Sequence, residues 1–256
     1  MVTDDLPGTQ GGNGGALEEI SLLLASSNED ILRSLLDHPA FDETQACLLL
    51  ARADLPGTLL GEIAMRKTLR GSYRVRRALA AHPHTPRLIA MRLLRELHLM
   101  DLVRIGLLPG VSGEIRRLAD ERVLTQLPQL PLGQRLSMAR RGSSRVAAGL
   151  IAEGPENVAR AALDNAFLSE SQLLKTLSKQ SLPARIVSAV ARHEKWSRLL
   201  NVRVAVLRHA NAPAEFASAL AAELARRDIE ELLELTSLSA SVREHLLHVL
   251  SHRDQP

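Results

Sequence analysis

Four short stretches of this chain end in the same way, and that recurrence limits its fold more than any single motif does. In "VRRALAAHPHTP" (75–86) a helix-forming run meets His82, and Pro83 and Pro86 then forbid its continuation. Aligned on His38, His82, Asn165 and His209, the stretches carry Ile31, Val75, Val158 and Val202 seven residues earlier. Leu35, Leu79, Ala162 and Val206 stand three earlier, and the small residues Ser34, Ala78, Ala161 and Ala205 four earlier. An arginine lies five or six earlier, at Arg33, Arg76 or Arg77, Arg160 and Arg203. The spacings are 44, 83 and 44 residues, and a fainter set, from Val146 to Glu153 and from Ile186 to His193, repeats after 40. Self-similarity at such a period predicts an array of small helical units that bury their apolar faces against one another. The residue ending each stretch is expected to meet the orphan carbonyls of its own helix, where the dipole favours a positive group.

The segments between these ends agree. "EDILRSLLDH", "DETQACLLLARA", "PRLIAMRLLREL", "PLGQRLSMARR", "SESQLLKTLSK" and "APAEFASALAAELARR" place apolar residues at helical spacing, and none alternates as a strand. The apolar residues are nearly all Leu, Ala, Val and Ile, with only Phe41, Tyr73, Phe167, Trp196 and Phe216 aromatic. Such a composition suits closely packed helices rather than sheets. The fold predicted is all-α. Residues 1–15, rich in Gly and acidic at the start, are expected to form a disordered tail before a single domain over 16–252. With no signal-like leader and no apolar run near the ~20 residues that span a bilayer, the expectation is a cytoplasmic protein off the membrane.

"VRRALAAHPHTPRLIAMRLL" and "VRVAVLRHANAPAEFASALAAEL" resemble the units of bacterial HEAT-like and leucine-rich-repeat-variant proteins. "LPLGQRLSMARRGSSRVAAGLI", "ARAALDNAFLS" and "HEKWSRLLNVRVAVLRHANAP" are similar to bacterial helical-repeat proteins of unassigned biochemical role. The resemblance runs over roughly residues 20–250 and implies a right-handed α-solenoid of about five or six degenerate HEAT- or armadillo-like repeats. It implies no activity.

Signals for chemistry are weak. Cys47 is the only cysteine, so neither an internal disulfide nor a cysteine metal site can form. "HEKWS" (193–197) opens like a zincin motif but has Ser197 where the second ligand belongs, and "GGNGG" (11–15) lacks the lysine of a P-loop. His245, His248 and His252 share one face of the last helix, and His245 with His248 are the nearest approach to a metal pair. His252 lies two turns from His245, about 10.5 Å along the axis, too far for one zinc. A solvated polar face is the simpler account. Neither a catalytic group nor a cofactor is expected.

Charge carries the one functional signal. Between Arg66 and Arg145 there are 17 Arg or Lys against 5 Asp or Glu, although the whole chain has 32 against 29. Stacked units would align equivalent arginines into a basic surface, and Arg74, Arg76, Arg77, Arg92, Arg116, Arg117, Arg140 and Arg141 are the residues singled out. The leading expectation is a non-enzymatic scaffold or adaptor that binds an acidic protein partner there. The alternative is nucleic-acid binding through the same arginines.

Overall fold

The computed structural model describes residues 19–236 and 238–253, and every regular element among them is helical. The expected tail at 1–15 lies outside the described residues. The helices are α1 (19–24), α2 (Glu29–Leu36), α3 (Glu43–Leu49), α4 (Gly57–Met65), the one-turn α5 (Lys67–Arg70) and α6 (Tyr73–Ala81). Then come α7 (Arg87–Leu93), α8 (Leu99–Leu107), α9 (Gly113–Gln126), α10 (Leu132–Arg141), α11 (Ser144–Glu153) and α12 (Glu156–Leu163). The series ends with α13 (Glu170–Leu177), α14 (Ala184–Arg192), α15 (Leu200–Leu207), α16 (Ala214–Ala221), α17 (Arg226–Leu233) and α18 (Ala240–Arg253).

Local chemistry sets the boundaries. Asp42 and Gln45 form a reciprocal capping box at the start of α3, while Ser72, Ser143 and Ser169 cap α6, α11 and α13 through their hydroxyls. Six helices use proline instead. Pro56, Pro86, Pro131, Pro155, Pro183 and Pro213 each occupy the N-cap, where no amide hydrogen is missed and the ring fixes φ. Pro86 and Pro213 stand one residue ahead of the first turn of α7 and α16.

The chain divides into two compact units, Met1–Ala119 and Asp120–Pro256. In the first, α2 packs on α4, α3 on α6, α4 on α6, and α6 on α7 and α8. In the second, α10 packs on α12, α11 on α13, α12 on α14, α13 on α15, α14 on α16, α15 on α17 and α16 on α18, besides contacts between chain neighbours. With α5 counted as a continuation of α4, helices two places apart pack together at α2 and α4, α3 and α6, and α6 and α8 in the first unit, and from α10 to α18 in the second. This two-helix interval is shorter than the 44-residue spacing read from the sequence, because His38 and His82 end helices three places apart.

The aligned apolar positions form the core. Leu35, Leu79, Ala162 and Val206 are all buried, as are Val75, Val158 and Val202. The exception is Ile31, 36% exposed, whose place is taken by Leu32 one residue on. The long helix suggested by "APAEFASALAAELARR" is two helices. It breaks after Ala221, where the Arg253 guanidinium donates to the freed carbonyls of Ala221, Ala222 and Leu224.

Close packing leaves little room at the turns around α11. A Cβ on Gly142, between α10 and α11, would sit 2.6 Å from the Met138 carbonyl oxygen and 2.8 Å from Val146 Cγ1. Substitution Gly142→Ala is expected to lower stability by about 1–3 kcal/mol through this overlap. Urea unfolding monitored by circular dichroism checks it, and an unchanged midpoint would contradict the close approach.

Candidate interaction surfaces

The histidines that end helices do not cap those helices by charge. His82, buried at the end of α6, accepts the His84 amide at Nδ1 (3.2 Å), and its Nε2 meets the Arg52 carbonyl at the end of α3 (2.6 Å). A donor facing Nδ1 leaves the proton on Nε2, so the ring is a neutral double clasp. Burial, the largest influence, holds its pKa below the usual imidazole range. His209 repeats the arrangement, with Nδ1 accepting from Asn211 (3.0 Å) and Nε2 on the Lys179 carbonyl (3.0 Å). Asn165 does the same without a ring: Oδ1 accepts from Phe167, and Nδ2 donates to the Ala139 and Gly142 carbonyls. His82-Pro83-His84 is therefore a latch between helix ends as well as a stop to α6.

Other side chains extend this pattern. Arg52 donates to the Leu24 and Ser26 carbonyls, Arg66 to Leu36, Trp196 to Leu163 and Asn211 to Leu182. In each case a donor near one helix end reaches carbonyls at the end of the helix two places earlier or in the turn that follows it. His193 of "HEKWS" accepts the Lys195 amide at Nδ1 and points Nε2 at the Asp164 carboxylate, 3.1 Å away. The partners of His82, Asn165 and His209 lie 23 to 30 positions back, whereas His38 accepts the Ala40 amide at Nδ1.

The eight singled-out arginines fall into two groups. Arg74, Arg76 and Arg77, all on α6, face Glu43 (3.5 Å), Glu96 (2.9 Å) and Asp101 (3.7 Å) respectively. Asp101 also accepts the Tyr73 hydroxyl, whose ring stacks on His98 at 4.4 Å between centroids. Nearby, Arg87 grips Glu114 through Nε and Nη2, and that guanidinium holds the Glu114 carboxyl below its ordinary range. The recurrent arginine of the aligned stretches is similarly engaged. Arg33 pairs with Glu29 and Glu62, Arg160 with Glu156 and the buried Arg203 with Glu223.

Arg92 on α7 and Arg116 and Arg117 on α9, in the first unit, have no carboxylate within 4.0 Å among the described residues. The same holds for Arg140 and Arg141 at the end of α10 in the second unit. Four of these five are exposed; Arg116 is half-buried, with its Nε shielded and without a hydrogen-bond partner.

The remaining candidates place as follows. Cys47 is half-buried rather than fully enclosed, and burial pushes its thiol pKa up, away from reactivity. His245 Nδ1 lies 3.0 Å from Ser218 Oγ, and the exposed His248 lies against His252. Among the described residues no three His, Cys, Asp or Glu side chains converge as metal ligands. Nor is any helix there long and apolar enough to cross a membrane. One feature had no sequence signal: an open groove of about 620 Å³ in the second unit, with Leu177, Val204 and Leu235 in its wall and Arg208 and Asp228 beside them.

Replacing Asn165 by Ala strands the Ala139 and Gly142 carbonyls and the Phe167 amide in a site 1% exposed. The expected loss is about 2–3 kcal/mol, read as a shift in the urea midpoint at unchanged slope. Comparison of the chain with protein-family models, with curated proteins and with solved structures finds no match.

Proposed function

We propose that this chain is a HEAT-like right-handed α-solenoid of five or six degenerate units that acts as a non-enzymatic cytoplasmic scaffold or adaptor, binding an acidic protein partner. The observation that carries the reading is the division among the arginines. Arg74, Arg76 and Arg77 are paired within the fold, whereas Arg92, Arg116, Arg117, Arg140 and Arg141 have no described carboxylate within 4.0 Å. Guanidinium presents a rigid fork matched to carboxylates, which suits recognition of an acidic surface. The repeated latching of helix ends supports the solenoid part, since side-chain donors join several helices to the one two places earlier.

The same five arginines would also suit phosphates. Two features favour protein over nucleic acid. Glu43, Glu96, Asp101 and Glu114 are interspersed with the basic residues of the first unit, which weakens the positive field a duplex requires. Few rings are free for single strands to stack on: Trp196 is buried, Tyr73 is held by Asp101 and His98, and Phe167 is the exposed one among the described aromatics.

The test is reconstitution. A protein captured from lysate of the source organism is purified and titrated against wild-type chain and two charge-reversed variants, Arg116→Glu with Arg117→Glu and Arg140→Glu with Arg141→Glu. At least one variant is expected to weaken binding by about tenfold or more, with salt weakening the wild-type complex. Fluorescence anisotropy with labelled duplex DNA and RNA runs beside it. Tight duplex binding that falls about a thousandfold between 50 and 200 mM salt would put nucleic acid in the partner's place. Partner binding indifferent to both reversals would remove these arginines from the interface.

A further inference from the structure

We infer that the His82 latch is an acid-sensitive hinge, by which protonation of one imidazole releases the end of α6 from the end of α3 and loosens the first unit. The geometry needs the neutral ring. Nδ1 receives the His84 amide hydrogen and Nε2 donates to the Arg52 carbonyl, so both nitrogens are committed with one proton between them. A second proton can attach only at Nδ1, where it would confront the amide N–H already pointing there. The hydrogen bond to His84 is then lost, and a cation is left in a side chain 6% exposed.

The surroundings do not rescue that charge. From the end of α3, Asp54 is the near anion, but it is exposed and bound bidentately by Arg52, with contacts of 3.1 and 2.7 Å. On the following turn His84 directs its Nδ1 at the Leu55 carbonyl, 2.9 Å away, and its ring lies 5.8 Å from that of His82. From α7 and α9, Arg87 and Glu114 border the small cavity beside His82, and they neutralise each other. Burial outweighs the help of the Arg52 carbonyl and of Asp54, with His84 opposing, and the folded imidazole is less basic than a free one. The sign follows. The released ring binds a proton near the ordinary value of about 6.5 and the latched ring only at lower pH, so acid favours release across that interval.

Arg52 gives the release a reach beyond one contact. Its carbonyl receives His82, while its guanidinium holds the Leu24 and Ser26 carbonyls at and just beyond the end of α1. One residue thus ties the ends of α1, α3 and α6 together, and freeing its carbonyl slackens that edge without unwinding the helices. The chain also contains a version of the latch that cannot titrate, because Asn165 accepts and donates in the same sense.

Amide hydrogen exchange of the full chain at about pH 7.5 and about pH 5.5, corrected for intrinsic rates, tests the hinge. Protection of the His84 amide and of the Ala51 and Arg52 amides at the end of α3 is expected to fall about fivefold or more in acid, and to stay level in His82→Asn. Equal acid sensitivity in wild type and His82→Asn would overturn the proposal. Should that variant fail to fold, nitrogen-15 spectra of the unaltered protein decide. The proposal requires a His82 ring protonated only at Nε2 at about pH 7.5 that gains its second proton as protection is lost. An Nδ1-protonated or cationic ring at about pH 7.5, or protonation without loss of protection, sinks it.

Discussion

Short helices leave much of their backbone unpaired, and the fold depends on how those groups are satisfied. The last four carbonyls of a helix have no internal partner, so in an eight-residue helix such as α2 or α12 half of the carbonyls need an outside donor. Water can serve only where the helix end is exposed. At the buried ends the donors are the side chains of His82, Asn165, Trp196, Arg203 and His209. All but Arg203, which bonds within its own segment, reach the helix two places earlier. Packing brings alternate helices together, but it is indifferent to small sliding along their axes. A hydrogen bond to one carbonyl is not. These contacts therefore fix the register of one helix against another, as caps fix the register of a single helix against its turn.

This device explains the choice of residue at each end. Histidine, placed just beyond the last turn with extended backbone, folds its ring so that Nδ1 meets the amide two residues on. The far nitrogen then projects outward by the width of the ring, which is the length needed to reach a neighbouring helix. Asparagine does the same over a shorter span, and it stands where glycine at position 142 lets the α10 end come close. Arginine serves where the gap is wider or several carbonyls cluster, as Arg253 does after α16. Lysine, a single flexible point charge, holds no carbonyl in this way among the described residues, which gives a structural reason for the chain's preference for arginine among its basic residues.

How much of this was legible in the sequence follows from where each partner lies. Helix ends were legible because prolines and capping residues act within four positions of themselves. Core positions were legible because burial follows helical spacing, and Leu79, Ala162 and Val206 are buried where the alignment put them. The partners of the aligned histidines were not, since a bond from His209 to Lys179 joins residues that share no local pattern. Nor was the fate of the basic residues. Arg76 and Arg117 look alike as letters, yet Glu96 occupies one and no carboxylate stands within 4.0 Å of the other among the described residues. The expectation of a positively charged histidine at a helix end failed for a related reason. It considered the dipole of one helix, whereas the amide two residues along the chain and the carbonyl of another helix together demand a neutral ring.

Charge and packing consequently do different work in this molecule. The apolar positions are filled by Leu, Val and Ala, which tolerate exchange and carry little directional information. Directional information sits in a few buried polar side chains bound to backbone, His82, Asn165 and His209 foremost. That arrangement separates stability from surface function, because Arg92, Arg117, Arg140 and Arg141 hold no helix end. It also places sensitivity to solution conditions in the interior. Exposed ion pairs such as Arg87 with Glu114 respond to salt, but each contributes little to folding. A buried imidazole with both nitrogens committed responds to protons, and His82 is the one whose Arg52 partner also secures a third helix end.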